Sequence, residues 1–132
     1  MECLYIAQPM TTDNSNWRRP TALIIGRFQP FHEGHKALVL EAIRRVKRVC
    51  IGVRSTEGID DKNPYSFSEV RKQIEAMMPK HLAQIEIIQI PNITHVFYGR
   101  DVGYAIERID LSPELQAISA TKIRALAQRK RA

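Results

Sequence analysis

The chain has little that would suit a secreted, metal-binding or membrane-spanning protein. It contains two cysteines, Cys3 and Cys50, whose separation does not match the short spacing of metal ligands. No apolar run approaches the roughly 20 residues of a membrane-spanning helix, and the N-terminus lacks a basic region followed by an apolar core. Cys50 lies in an apolar run and is expected to be a buried packing residue. We therefore expect a cytoplasmic protein in a reducing compartment.

Composition also argues against disorder and against several domains. The 132 residues are 44% hydrophobic and 26% charged, which is enough apolar material for one packed core. The formal net charge of +6 is compatible with binding nucleic acid or small polyphosphates. A terminal run, Arg129, Lys130 and Arg131, adds to that charge and is typical of a solvated tail. The net charge alone therefore does not distinguish between nucleic acid and small polyphosphates as the partner.

The order of apolar segments predicts one α/β domain after a short extension. Residues 1–20 have mixed polarity and no sustained period, and we interpret them as an N-terminal extension. Residues 21–132 contain no internal repeat or linker and are interpreted as the domain. Strands are predicted at 22–26, 49–53 and 85–90, with the second strand covered on both faces. A fourth strand is predicted at 94–98, and 105–111 is a weaker strand candidate.

Helices are predicted between these strands. Residues 36–48 show amphipathic spacing. A second helix is predicted to start within residues 64–69, where Ser66 and Glu69 have the spacing of a capping box. Residues 112–115 favour a short helix or a loop equally. A last helix begins at 118. Strand, helix and strand form right-handed crossovers, so the expected fold is α/β, with a mainly parallel sheet and helices on both faces.

The stretch of residues 26–35, GRFQPFHEGH, lies between the first predicted strand and the first helix. Free N–H groups and the positive end of the dipole make such a helix start favourable for an anion. His32 and His35 are three residues apart and can point the same way, while Gly34 leaves the backbone accessible. This pattern predicts a phosphate site, and the alternative is a pair of surface histidines in a loop.

A second candidate cradle begins the last predicted helix, at residues 118–124, ISATKIR. Ser119 is a good candidate for the N-cap. Hydroxyl groups and two cations at a helix N-terminus suit a polyphosphate. The alternative is a capped basic helix without a ligand.

Both stretches resemble the signatures of one known superfamily. H-x-G-H after a first strand is typical of the nucleotidyltransferases related to class I aminoacyl-tRNA synthetases, and residues 118–124 resemble their second signature, I-S-x-T-x-[IV]-[RK]. The longer string GRFQPFHxGH is similar to the one in archaeal-type nicotinamide mononucleotide adenylyltransferases. The resemblance implies a single Rossmann-like domain and an enzyme that moves a nucleotidyl group from a nucleoside triphosphate to a phosphate-bearing acceptor, releasing pyrophosphate.

The resemblance also implies roles for individual residues. His32, His35, Arg27 and Arg124 form the expected catalytic set. The expected nucleotide-binding set is Gly26, Arg27, Phe28, Gly34, His35, Gly99, Asp101, Ile118, Ser119, Thr121 and Arg124. Lys62, Arg71 and Lys122 are either phosphate ligands or surface cations. No protein cage for a metal is evident, so Mg²⁺ is expected to arrive with the triphosphate.

The substrates are less defined than the chemistry. The first string favours ATP and nicotinamide mononucleotide. However, residues 91–94 lack the Asn-His-x-Trp segment of the archaeal-type enzymes, and the helical tail is nearly absent. The short length and residues 96–101, VFYGRD, resemble cytidylyltransferases such as the glycerol-3-phosphate enzyme, which usually have Gly-Thr-Phe-Asp where this chain has GRFQ.

The alternatives are therefore a cytidylyltransferase acting on a small phosphorylated alcohol, or a domain that binds a nucleotide or nucleic acid without catalysis. The expected partners are a nucleoside triphosphate, ATP or CTP, and a phosphorylated small-molecule acceptor. Neither a membrane nor a nucleic acid is the expected partner. Family members often form dimers, so a homodimer is compatible with the sequence.

Overall fold

The computed structural model describes residues 18–55, 58–100, 103–117 and 123–125, and these contain a three-stranded parallel sheet. The strands are β1 (Ala22–Gly26), β2 (Val49–Arg54) and β3 (Ile85–Ile90), in the order β1-β2-β3. The register pairs Ala22 with Val49, and Val49 with Ile85. The predicted α/β class and parallel sheet are confirmed, with strand bounds within one residue of those predicted.

Two long helices connect the strands. They are α1 (Glu33–Val46) and α2 (Phe67–Met77), followed by a 3₁₀ turn at Leu82–Gln84 and a short α3 (Pro113–Gln116). The capping box predicted for α2 is present, because the Ser66 hydroxyl accepts the Glu69 N–H at 3.2 Å while the Glu69 carboxylate accepts the Ser66 N–H at 3.0 Å. Among the described residues, no helix is long and apolar enough to cross a membrane.

The core lies between the two long helices and one face of the sheet. Side chains alternate along a strand, so Val49, Ile51 and Val53 of β2 share a face, and each is at most 3% exposed. The buried residues that pack in this cluster from outside β2 are Phe28, Phe31, Val39, Ala42, Ile43, Val70, Ile74 and Met78. Burial of these apolar side chains is the main source of stability for the domain.

The opposite face of the sheet is more open. Leu23 is 60% exposed and Ile88 is 38% exposed, and Cys50, which pairs with Leu23, is half-buried rather than buried as predicted. Both crossovers step in the same direction across the sheet, and right-handed crossovers then place both helices on one side. The described long helices therefore cover one face of the sheet, whereas the prediction placed helices on both faces. Partial burial raises the pKa of the Cys50 thiol.

The strand predicted at 94–98 is wrong. These residues are irregular and exposed, with Val96 at 71% and Phe97 at 87%. Only residues 91–93 separate Ile90 from Thr94, a connection that reaches at most about 14 Å. A parallel neighbour needs a crossover of roughly a dozen residues to return along the preceding strand. The weaker strand candidate at 105–111 is irregular as well.

Two further predictions have different outcomes. The short helix allowed at 112–115 is present as α3, with the Ser112 hydroxyl accepting the Leu115 N–H. Of the extension predicted for residues 1–20, the first 17 residues lie outside the described part. The division into extension and domain stays a prediction.

Candidate active site

The site is built around the residues that connect β1 to α1, residues 27–35, which we call the histidine loop. His32 is the N-cap of α1, and its Nδ1 accepts the N–H groups of Gly34 at 3.0 Å and His35 at 3.4 Å. The Nδ1 of His35 in turn accepts the His32 N–H at 3.2 Å. Two histidines thus form a reciprocal capping box, a role usually taken by Ser or Thr with Glu or Gln. This cap explains why α1 begins at Glu33, three residues before the predicted start.

The capping bonds bring the two imidazole rings together and define where their protons lie. The ring centroids are 3.7 Å apart with an interplanar angle of 19°, so the expectation that both side chains point the same way is confirmed. A ring nitrogen that accepts a hydrogen bond carries no proton, so each neutral ring carries its proton on Nε2. Each Nε2–H is therefore a donor that is not used by the cap.

Burial keeps both rings neutral at pH 7. It lowers the pKa of His32 below its ordinary value. For His35, burial and then the charge of His32 lower the pKa to about 4. Desolvation disfavours the charged imidazolium. The pair therefore offers two N–H dipoles to an anion rather than two positive charges.

Aromatic rings hold His35 in place. Phe31 lies nearly parallel to the imidazole at 5.6 Å, and Phe28 meets it edge-on at 4.9 Å. Phe28 and Phe31 are 3% and 4% exposed. The Phe28 side chain packs in the core, and its expected role in nucleotide binding stays a prediction. A Cβ on Gly26 would lie 2.9 Å from the Phe28 ring, so Gly26 makes room for this ring.

Gly34 is also explained by a close contact. A Cβ at this position would lie 2.9 Å from Cε1 of His32 and 3.2 Å from the carbonyl oxygen of Leu115 in α3. The sequence suggested that Gly34 allows an anion to approach the backbone. In the structure the glycine accommodates the capping imidazole and brings α3 beside the histidine loop.

The structure brings one cation of the second motif to the histidine loop. Arg124 donates from Nη1 to the carbonyl oxygen of Gln29, 95 residues earlier in the chain. Arg27, at the start of the histidine loop, donates to Oδ1 of Asn63 at 3.2 Å. Of the two arginines predicted to be catalytic, Arg27 thus links the histidine loop to Asn63, and Arg124 contacts the loop from the second motif.

The two remaining cations with described positions have different surroundings. Lys62 is exposed in a turn, where its backbone N–H donates to Oδ1 of Asp60 at 2.9 Å. Arg71 lies on the exposed side of α2 and pairs with Glu75 at 3.4 Å. Arg71 is thus engaged in a surface ion pair, whereas the Lys62 turn lies beside Arg27 through Asn63.

One further residue of the predicted set, Gly99, has a described position. Gly99 is exposed, with open space around its Cα. Five predicted residues lie outside the described part of the chain: Asp101, Ile118, Ser119, Thr121 and Lys122. Their roles stay predictions.

Sequence reasoning missed the contacts that hold the histidine loop against the segments around it. The Gln29 side chain is 3% exposed and bonds both backbone groups of Tyr65. The Gln73 Oε1 accepts the Phe31 N–H at 3.2 Å. The only signal in the sequence was a glutamine among apolar residues before a proline, and no periodicity relates it to a partner 36 residues away.

The fold and site together define an α/β protein of the nucleotidyltransferase superfamily, with paired histidines after the first strand. A family model described as Cytidylyltransferase-like matches residues 23–89, about half of the chain. The chain belongs to this family.

Several relatives match parts of the chain. A nicotinamide-nucleotide adenylyltransferase from Methanolobus tindarius is 41% identical over 61 residues, which are 46% of this chain and 32% of that protein. One of the same name from Methanococcus aeolicus is 34% identical over 73 residues, 54% of this chain and 42% of that protein. A phosphonoformate cytidylyltransferase from Streptomyces viridochromogenes is 26% identical over 98 residues, 64% of this chain and 53% of that protein.

A solved structure is similar as well. The bifunctional NMN adenylyltransferase/ADP ribose pyrophosphatase of Francisella tularensis, complexed with AMP and a manganese ion, matches with a TM-score of 0.52 and 31% identity. The match covers 55% of this chain and 23% of that one. This chain thus spans about a third to a half of the length of the curated relatives it matches.

Proposed function

We propose that the chain transfers the adenylyl group of ATP to nicotinamide mononucleotide and releases pyrophosphate. The observation that carries the proposal is the stacked pair His32 and His35, whose two free Nε2–H groups stand at the start of α1. The names of the two archaeal relatives support the choice of nucleotide and acceptor. The match to the Francisella tularensis structure with AMP supports it further.

The proposed reaction is a direct displacement at phosphorus. A phosphate oxygen of the acceptor bonds to the α-phosphorus of ATP, the bond to the oxygen bridging the α- and β-phosphates breaks, and pyrophosphate leaves with that bond's electrons. No covalent intermediate on the protein is needed, so the protein orients the reactants and stabilises charge. The Nε2–H groups of His32 and His35 donate to the phosphate oxygens on which negative charge grows.

Cations complete the proposed site. Arg27 and Arg124 contact the histidine loop or the turn beside it, and they serve the triphosphate and the phosphate of the acceptor. Lys62 lies in the turn that Arg27 contacts through Asn63. Mg²⁺ arrives with ATP and neutralises part of its charge, and the manganese ion in the Francisella tularensis complex supports a divalent cation in this role.

A second candidate is cytidylyl transfer from CTP to a small phosphorylated alcohol. The phosphonoformate cytidylyltransferase supports it, because that match extends over 64% of this chain, further than the matches to the archaeal adenylyltransferases. Its lower identity, 26%, makes it the weaker candidate. We further propose a cytoplasmic location, because the cysteine usage fits a reducing compartment. We also propose a homodimer, because family members often form dimers.

The test measures pyrophosphate release with Mg²⁺ and ATP or CTP, each against nicotinamide mononucleotide, glycerol 3-phosphate and phosphonoformate. His35→Ala is the active-site variant. His95→Ala is the matched control, since His95 is exposed and its described contacts, to Thr94 and Phe97, are local. Release with ATP and nicotinamide mononucleotide that is lost only in His35→Ala supports the proposal.

Other outcomes distinguish the alternatives. Release only with CTP would establish the second candidate. Triphosphate binding without release in any pair would favour a binding domain. If the chain instead binds nucleic acid, its affinity should fall steeply with added salt.

A further inference from the structure

We propose that Gln29 is a positioning residue that fixes the turn of residues 60–65, which carries Lys62, to the histidine loop. The consequence for catalysis rests on the proposed function, whereas the structural coupling does not. Gln29 is the one polar side chain among the described residues that is buried, at 3% exposure. A buried amide is retained only where its hydrogen-bonding groups are satisfied.

The partners of Gln29 are both backbone groups of one residue. Its Oε1 accepts the Tyr65 N–H at 2.8 Å, and its Nε2 donates to the Tyr65 carbonyl at 2.9 Å. A longer contact of 3.5 Å joins Nε2 to the carbonyl of Arg27 in its own loop. The amide therefore bonds Tyr65 as a neighbouring strand would, and it fixes both the distance and the orientation of that backbone.

The turn that Gln29 holds is internally bonded. The backbone groups of Asp60 and Asn63 bond each other in both directions at 3.1 Å. Oδ1 of Asp60 also accepts the N–H groups of Lys62 at 2.9 Å and Asn63 at 2.8 Å. Because these bonds tie the turn together, a hold on Tyr65 extends to Lys62. Arg27 provides a second attachment through Asn63.

The same residue links the second motif. The carbonyl of Gln29 accepts a hydrogen bond from Arg124, while its side chain holds Tyr65 and its neighbours Phe28 and Phe31 pack against His35. Gln29 therefore connects three segments that are distant in the sequence. Without its amide, the histidine loop and the Lys62 turn would still be linked through Arg27 and Asn63, but the backbone of Tyr65 would lose its fixed position.

The test replaces the amide and follows the turn directly. Gln29→Met keeps approximate volume and removes both bonds to Tyr65. Gln84→Met is the matched control, because Gln84 donates to the Lys47 carbonyl at 3.1 Å just before the first residue of β3, at the opposite end of the strand from the site. Hydrogen–deuterium exchange is measured in ligand-free protein, with pyrophosphate release measured in parallel.

The expected result has two parts. Exchange in peptides covering residues 60–66 rises at least about tenfold in Gln29→Met, while exchange across β2 and α1 is unchanged. The value of kcat/KM for the triphosphate falls about 10- to 100-fold, since a small misplacement of a binding group has that effect. Gln84→Met changes neither.

Two results would overturn the inference: wild-type exchange at residues 60–66 in folded Gln29→Met, or raised exchange with wild-type kcat/KM. If Gln29→Met does not fold cooperatively, Gln29→Glu decides. Burial disfavours ionisation of the new carboxyl group, so in its protonated form it can keep both bonds to Tyr65, and the same two changes are expected as it ionises with rising pH. If the wild type releases no pyrophosphate with any pair, the proposed function fails, and the exchange data alone decide whether Gln29 holds the turn.

Discussion

Two regions of this chain have similar apolar segments but different packing. In the first region, residues 18–90, Ile51 of β2 is 0% exposed. In the second region, the described residues from 91 to 117, Phe97 is 87% exposed and Ile106 is 70% exposed. An apolar run is thus not sufficient to form a buried strand. For residues 94–98, the three-residue connection from β3 is also too short to form a parallel neighbour.

The largest contrast is expected in catalysis. His32→Asn removes the ring and its Nε2–H but supplies another good N-cap for α1. Pyrophosphate release should fall about 10²- to 10³-fold, as when one donor to a developing charge is lost, while unfolding free energy changes by less than about 1 kcal/mol. His95→Asn, in the second region, should change neither. A fully active His32→Asn would remove His32 from the proposed mechanism.

The next contrast is in stability. Ile74 is 0% exposed in the core against β2, so Ile74→Ala should lower the free energy of unfolding by about 2–5 kcal/mol. Phe97→Ala removes a larger side chain from the second region, yet should change it by less than about 0.5 kcal/mol. Denaturant titration measures both. A cost for Phe97→Ala near that of Ile74→Ala would show that the second region is packed in solution.

The pH dependence of stability tests whether the histidine loop is packed as firmly as the rest of the first region. The folded pKa of His35 is about 4, below the ordinary value of 6.5, so the unfolded chain binds more protons in this interval. Stability should therefore be fully present above pH 6.5 and be lost as the pH falls towards 4.

The partly exposed His35 ring limits this loss to about 1–2 kcal/mol. Unfolding midpoints measured across this pH range should depend less steeply on pH in His35→Asn than in the wild type. Ile24→Val, a small change in the core, should leave the slope as in the wild type. An unchanged slope for His35→Asn would contradict the assignment of a half-buried neutral ring.

The smallest effect concerns an ion pair that joins the regions. Nη1 of Arg45 in α1 lies 3.2 Å from Oε1 of Glu107, with side chains 38% and 61% exposed. Exposed pairs contribute little and are screened by salt. A double-mutant cycle with Arg45→Gln and Glu107→Gln should give a coupling below about 0.5 kcal/mol that decreases with salt. A coupling above about 1 kcal/mol would indicate that α1 holds the second region firmly.

The first region was predictable from the sequence because its signals are local. The strands at 22–26, 49–53 and 85–90 were predicted within one residue, and the Ser66 cap was found from a spacing of three. The histidine pair was found in the same way. The prediction of a strand in the second region failed because it considered the apolar content of residues 94–98. It did not consider that the three residues before them are too few for a crossover.

The site was predictable only in part. The resemblance named the two histidines and the two arginines and placed Gly26 and Gly34 in the nucleotide-binding set. It did not predict that these glycines accommodate the rings of Phe28 and His32. The reciprocal cap of His32 and His35 combines a short spacing with side-chain geometry, and a spacing alone cannot supply the geometry. The bonds between Gln29 and Tyr65 join residues 36 apart, so no local pattern contained them.

The confinement of the core to the first region has a consequence for folding during synthesis. Every residue of the described core cluster, with the side chains packed against it, lies between Ala22 and Ile87. Once that stretch has left the ribosome, the chain holds all the partners this core requires. Domains generally fold as units during synthesis, so this core can form before the residues after Ile90 emerge. The arginine that completes the site, Arg124, would then be added to a fold that is already in place.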